Sequence, residues 1–175
     1  MRSVVHMKFA VFVGRLAGVL LCVAIATAAS ARELRHPARA VPAFTVQVPD
    51  DWTYSVGTDN ALVAVSQDRS TSIVLSFGAD SGSLEDVTRV MFLAAGVATP
   101  ADKTPASISG LAGFSFESTM KNGKGELLQL KLTIVRVGER RHGTATLLQY
   151  AGNSPEQRQF AESVMRSVQI IGAGR

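Results

Sequence analysis

The feature that most constrains the fold is a hairpin signal near the middle of the chain. Lys121-Asn122-Gly123-Lys124 carries the Asn-Gly pair that favours a type I′ turn, whose twist matches that of two antiparallel strands. Both flanks alternate with a period of two. Before the turn, Leu111 to Met120 places Ala112, Phe114 and Phe116 on one face. After it, Leu128, Leu130, Leu132 and Ile134 face one way and Gln129, Lys131 and Thr133 the other. Gly138 to Gly143 predicts a second turn, and Thr144 to Ala151 a further strand. A sheet laid down this way has an apolar face that must be covered.

The covers are legible as two changes of period. Ser83-Leu-Glu-Asp86 reads as a capping-box-like start, and Leu84, Val87, Met91 and Ala94 or Ala95 recur at helical spacing up to about Gly96. Ser154-Pro155-Glu156-Gln157 opens a second helix with Ser at N-cap, Pro at N1 and Gln at N3. Its apolar stripe is Phe160, Val164 and Val168, joined by Ala161 and Met165. Earlier strands are expected at Phe44–Val48, Trp52–Val56, Ala61–Gln67 and Thr71–Phe77, and the Pro- and Thr-containing stretch through Pro100 and Pro105 reads as a loop. The order strands, helix, strands, helix predicts an α+β domain: a curved antiparallel sheet with two main helices packed on it.

The N-terminus has a separate logic. Arg2, Lys8 and Arg15 precede an uncharged apolar run from Leu16 to Ala29, which ends in the small residues Ala29-Ser30-Ala31. A basic region, an apolar core and an A-x-A site together mark a secretory signal cleaved after Ala31, with Met7 as an alternative start. The run is shorter than a spanning helix needs, so no stable membrane span is expected after processing. Cys22 lies inside the apolar run behind Leu21, and reads as one more apolar side chain rather than a lipid anchor. Residues 1–31 are therefore expected to be the signal and 43–172 a single domain. Residues 32–42, with Arg32, Arg35 and Arg39 among small residues and prolines, are expected to be a flexible leader. The destination is the periplasm or the exterior.

Processing changes the charge argument. Of 18 basic residues three lie in the signal, which leaves 15 against 14 acids. A near-neutral protein lacks the basic excess that nucleic-acid binding requires. The part after the signal has no cysteine, which excludes disulfides, thiol catalysis and Cys-based zinc sites. Asp80-Ser81-Gly82 superficially matches a serine-protease turn, but the only histidines beyond the signal are His36 and His142, and a serine nucleophile needs a histidine base oriented by a third group. Gly113-Phe-Ser-Phe-Glu117 lacks the closing glycine of a nucleophile elbow. Asp50-Asp51 are adjacent in a turn and cannot face each other across a cleft. No phosphate-cradling glycine loop or metal-ligand spacing occurs, so no cofactor is expected.

Two features remain as candidate binding residues. Arg140, Arg141 and His142, with Arg136 nearby, form a local positive cluster suited to a carboxylate or phosphate, or to keeping a hairpin tip soluble. Trp52, the single tryptophan, follows a turn, where it serves either as an interface anchor or as core packing.

The stretch Phe44-Thr-Val-Gln-Val-Pro-Asp-Asp-Trp52 resembles the F-x-V-x-x-P-x-x-W opening of the PsbP-like superfamily. The small-residue strands after it, the helix after Ser83, the hairpin from Gly110 to Gly125 and the closing helix follow that layout. The resemblance implies an α/β/α sandwich in an assembly or binding module that is not an enzyme, and carries over no functional residue. The expectation is thus an exported, non-enzymatic module that binds an envelope protein or supports an envelope assembly. The alternatives are a periplasmic small-ligand carrier using a pocket between sheet and helix, and a small hydrolase.

Overall fold

The structure is a computed structural model that describes residues 30–79 and 82–173. The signal reading, apart from Ser30 and Ala31, and the Asp80-Ser81 pair lie outside the described residues. The elements in chain order are β1 (Ala31–His36), β2 (Ala43–Pro49), β3 (Thr53–Val56), β4 (Leu62–Val65), β5 (Thr71–Ala79), α1 (Leu84–Ala94), β6 (Thr104–Ile108), β7 (Leu111–Lys121), β8 (Leu127–Gly138), β9 (Arg141–Tyr150), α2 (Pro155–Arg166) and β10 (Gln169–Ile171).

Seven strands form one open antiparallel sheet in the order β3-β4-β5-β9-β8-β7-β6. Its centre is the expected β7–β8 hairpin, extended by β9 on β8, but its tip is the five-residue loop 122–126 with the positive φ at Gly125, not a type I′ turn on Asn122-Gly123. Asn122 closes the tip: its side-chain oxygen accepts from the backbone N–H groups of Lys124 and Glu126, each at 2.9 Å. Because side chains alternate, the sheet presents two apolar faces, and each has its own cover. One face carries Phe116, Leu130, Leu132 and Ile134 and is covered by Leu84 and Phe92 of α1. The other carries Ile73, Leu75, Val135, Ala145 and Leu147 and is covered by Ala161 and Val164 of α2, together with a second, three-stranded sheet in the order β1-β2-β10. Phe44, Val46 and Val48 of β2 fill the space between the sheets, and Phe44 stacks on Phe77 with centroids 4.2 Å apart. The layering is the expected α+β sandwich, with the second sheet as an addition.

Several expectations are corrected. The leader is not a tether over its first half, because Ala31–His36 pairs with β2 along its whole length, from Ala31 opposite Pro49 to His36 opposite Phe44. Leu34 and His36 point inward, and this two-residue alternation was masked by Arg35 between them and Arg32 before them. Only the segment from Pro37 to Pro42 is irregular. The loop through Pro105 contains strand β6, which lies at the sheet edge, where a proline costs no ladder hydrogen bond. The turn after β8 is shorter than Gly138–Gly143: β9 begins at Arg141, so His142 is a buried strand residue. Strand β10 spans three residues, too few to show a period.

Both helix stripes hold in part: Leu84, Val87 and Met91 of α1 and Ala161, Val164, Met165 and Val168 at α2 pack into the core, while Ala94, Ala95 and Phe160 do not. On α1 the buried line is Leu84, Thr88 and Phe92, while Ala94 and Ala95 face solvent. Thr88 can be buried because its hydroxyl donates to the carbonyl oxygen of Leu84 at 2.8 Å. On α2, Ala161 and Val164 take the inward line and Phe160 remains 44% exposed.

The capping box of α2 is present as read: Ser154 Oγ accepts from the N–H of Gln157, and Gln157 Oε1 accepts from the N–H of Ser154. Replacing Ser154 by alanine removes half of this exchange. It is expected to cost about 1 kcal/mol, read as a shift in the urea midpoint with an unchanged slope.

Candidate functional site

α2 crosses the sheet so that its two flanks differ. Ala161 and Val164 face β2, whereas Arg158 and Glu162, one turn apart, face the open surface of β7, β8 and β9. Between them runs a groove of about 630 Å³. Its floor is built by period-two alternation: Glu117 on β7, Gln129 and Lys131 on β8, and Leu147 and Gln149 on β9. A second concavity of about 380 Å³ continues it toward β6, sharing Glu117, Lys131 and Glu162 and adding Ser115 and Thr133.

Lys131 sits at the junction. Its Nζ lies 3.3 Å from both carboxylate oxygens of Glu162 and 3.5 Å from Glu117 Oε1. Lys131 and Glu162 are partly buried while Glu117 is exposed, so the pair with Glu162 forms the inner contact and Glu117 an outer, solvent-screened one. At the other end Gln149 is buried: its Nε2 donates to Gln129 Oε1 at 3.5 Å, and its own Oε1 finds no partner among the described residues. A buried acceptor left unmatched carries a desolvation cost. Arg158 is held to the wall by donating to the carbonyl oxygen of Asn153 at 2.5 Å. The groove thus offers charges of both signs and three side-chain amides, from Gln129, Gln149 and Gln159.

Among the described residues no histidine lies beside Ser115 or Ser118. His36 pairs with the carbonyl oxygen of Asn60 at 2.7 Å on another part of the molecule, and the His142 ring packs beneath β5 against Gly78. Among the described residues no three His, Cys, Asp or Glu side chains come together as a metal set. The carboxylates held below their usual range lie outside this groove, each for a local reason. The Ser66 hydroxyl and then the Ser70 N–H stabilise ionised Asp68, Lys103 does so for Glu85, the Ser83 hydroxyl for Asp86, and Asn122 for Glu126. These shifts keep the groups charged, the opposite of what a general acid needs.

They also set an acid limit. A carboxylate whose folded pKa is depressed contributes stability that is complete above its unfolded value, about 4 for Asp and Glu, and is lost as pH falls through the folded value. The melting temperature is therefore expected to be flat from pH 8 to about 5 and to fall below about 4, with Asp68→Asn giving a shallower fall. Melting curves between pH 2 and 8 check this; equal slopes for the two proteins would remove Asp68 from the account.

The predicted binding residues do not converge on the groove. Trp52 is 4% exposed in the core; its carbonyl oxygen accepts from Arg32 at 2.6 Å, and it lines a shallow concavity with Phe160. Arg136 donates to the carbonyl oxygen of Gly82 at 3.0 Å. Arg140 is exposed in the β8–β9 turn, and Arg141 lies over the Phe77 ring at 5.2 Å. The groove residues escaped the sequence reading because Lys131, Gln129 and Gln149 look like the ordinary polar side of strands. Their one signal was that the polar side of β8 belongs to a central strand, which must be covered.

No protein-family model matches the chain, and a search of curated proteins finds no match. Solved structures do share its fold. CyanoP, the cyanobacterial PsbP of Synechocystis sp. PCC 6803, is similar over 90% of this chain and 98% of its own, with a TM-score of 0.56 at 12% identity. LpqN of Mycobacterium tuberculosis, described as involved in cell envelope biogenesis, is similar over 81% of this chain and 90% of its own, with a TM-score of 0.52 at 15% identity. A protein of Bacteroides thetaiotaomicron is similar over 75% of this chain at a TM-score of 0.51 and 14% identity, and the match spans 46% of that protein's length. The fold is PsbP-like, as the Phe44–Trp52 stretch suggested. Among the described residues no helix is long and apolar enough to cross a membrane.

Proposed function

We propose that the chain is an exported, non-enzymatic binding module of the cell envelope, and that the groove between α2 and strands β7 to β9 receives a segment of a partner protein. One observation carries this reading. The groove is open, carries both signs of charge around Lys131, and is lined by the side-chain amides of Gln129, Gln149 and Gln159. A polypeptide brings N–H donors, carbonyl acceptors and side-chain charges in the mixture such a surface can satisfy. An apolar small molecule would leave the charges and amides unpaired, which weighs against the carrier alternative. A hydrolase would need a nucleophile paired with a base, and none of the described hydrogen bonds joins Ser118 or Thr119 to Lys131, Glu117 or Glu162. The compartment rests on the basic, apolar and A-x-A segments before Ala31 and is compatible with the envelope role stated for LpqN.

Lys131→Glu tests the reading. It places a third carboxylate beside Glu117 and Glu162, so a partner held at this junction loses its cationic contact. In-host crosslinking of the tagged protein, followed by mass spectrometry, is expected to give one dominant partner for the wild type and at least about tenfold less of it for Lys131→Glu. An unchanged yield from a variant with an unchanged melting temperature would overturn the assignment of the groove.

A further inference from the structure

At the far end of β8, about 20 Å along the strand from Lys131, lies a second and different concavity. It has a volume of about 400 Å³ and apolar walls: Val41 and Pro42 from the β1–β2 connection, Val137 from β8, and Ile171 and Ala173 from the end of the chain. The two loops meet at close range. Gly172 adopts φ +71°, and a Cβ there would lie 2.7 Å from the Val41 side chain, so the β1–β2 connection and the chain end are fitted to each other. Val41 nevertheless remains 61% exposed, a large apolar side chain at the lip of an apolar groove.

Arginines stand around it. Arg141 lines the groove itself. Arg140 is exposed in the adjoining turn, and Arg39 is exposed in the same connection as Val41. None of the described hydrogen bonds or ion pairs engages Arg39 or Arg140. The one acid among the described residues of segments 37–42, 138–141 and 171–173 is Glu139. The two arginine groups, one from the leader and one from the β8–β9 turn, are about 100 positions apart in sequence, and pairing of β1 with β2 brings them to one end of the molecule.

We propose that this end docks an acidic segment of a partner protein that carries an apolar anchor. The anchor side chain enters the groove against Val41, Val137 and Ile171, and carboxylates flanking it meet Arg39, Arg140 and Arg141, whose guanidinium forks suit carboxylates. Charge complementarity fixes the sign of the partner. The concavity fixes its form, since a side chain can fill a hollow that a bilayer surface would span. The proposal does not rest on the α2 groove, and either surface can fail without the other.

The test uses the purified exported protein and a labelled peptide with two leucines flanked on both sides by glutamates, compared with the same peptide bearing lysines in place of the glutamates. Fluorescence anisotropy is expected to show binding of the acidic peptide alone. The affinity should fall about tenfold between 50 and 200 mM salt, and about tenfold in Arg39→Glu/Arg140→Glu, as losing and reversing rim charges requires. Val41→Asp is expected to weaken binding similarly. Arg39, Arg140 and Val41 are exposed, so unchanged melting temperatures are expected to show that these variants fold. The proposal is overturned if the lysine peptide binds as tightly as the acidic one, if the charge-reversed protein binds undiminished, or if phosphatidylglycerol vesicles retain the protein while the acidic peptide does not bind.

Discussion

Gly113→Ala is expected to be among the most damaging single substitutions in the chain, at a residue that looks unremarkable in a strand. Gly113 lies opposite Val135 in the β7–β8 pair. A Cβ on it would collide with the carbonyl oxygen of Ile134 and come 2.7 Å from the Val135 Cα and 2.8 Å from the Ile134 carbonyl carbon. All three atoms are backbone, so no rotamer change relieves the contact. The central hairpin must open, or β7 must shift its register by moving every side chain to the wrong face. The cost is expected to be about 3 kcal/mol or more, at or beyond the upper end for overpacked sites. Gly110→Ala is the control. Gly110 has φ +78° with open space around it, so alanine there meets only the backbone penalty of about 1 kcal/mol. Urea unfolding of both variants checks the difference, and equal costs would contradict the close approach at Gly113.

Phe44→Ala is the second large effect. Phe44 has no exposed surface, stacks on Phe77, and belongs to the strand that both β1 and β10 pair with. Its removal leaves a cavity between the two sheets, lined by Ile170 and Gly143, that the surrounding strands cannot collapse to fill. Large aromatic truncations of this kind cost about 3–5 kcal/mol. At this size that corresponds to a melting temperature lowered by roughly 10 °C or more. Phe44→Leu, which keeps most of the volume, is expected to lose less than half as much. Near-equal losses for the two variants would mean that β2 is not packed as described.

These sites also show how much of the fold was legible in the sequence. Gln129, Lys131 and Thr133 alternate with Leu128, Leu130 and Leu132 so regularly that strand β8 and both its faces could be read directly. The capping box at Ser154 was equally plain, because it depends on residues three apart. What failed depended on tertiary contacts. Leu34 and His36 form part of a strand only because β2 offers a partner, and the neighbouring Arg32 and Arg35 hid the alternation. Pro105 marked a loop by local rules yet lies in an edge strand, where its missing N–H goes unused. Phe160 belonged to the expected stripe by spacing, but Ala161 and Val164 meet β2, and the helix turns Phe160 outward.

The candidate sites were less legible for the same reason. Arg140 and Arg141 stood out as a cluster, but Val41, Pro42 and Ile171, which shape the hollow beside them, come from segments with no shared signal. Glu117 and Lys131 face each other across the β7–β8 pair, but Glu162 joins them only when α2 crosses the sheet. Their types are those of any solvated surface, so only geometry distinguishes them.

The most direct test of the proposed role is site-specific photocrosslinking in the native host, with a photoreactive residue at Gln159 on the rim of the α2 groove and a control at exposed Thr58, outside it. A binding module predicts one discrete crosslinked protein from Gln159, absent from Thr58 and reduced by Lys131→Glu. Equal patterns from both positions, or no protein adduct from Gln159 in a correctly exported protein, would contradict it.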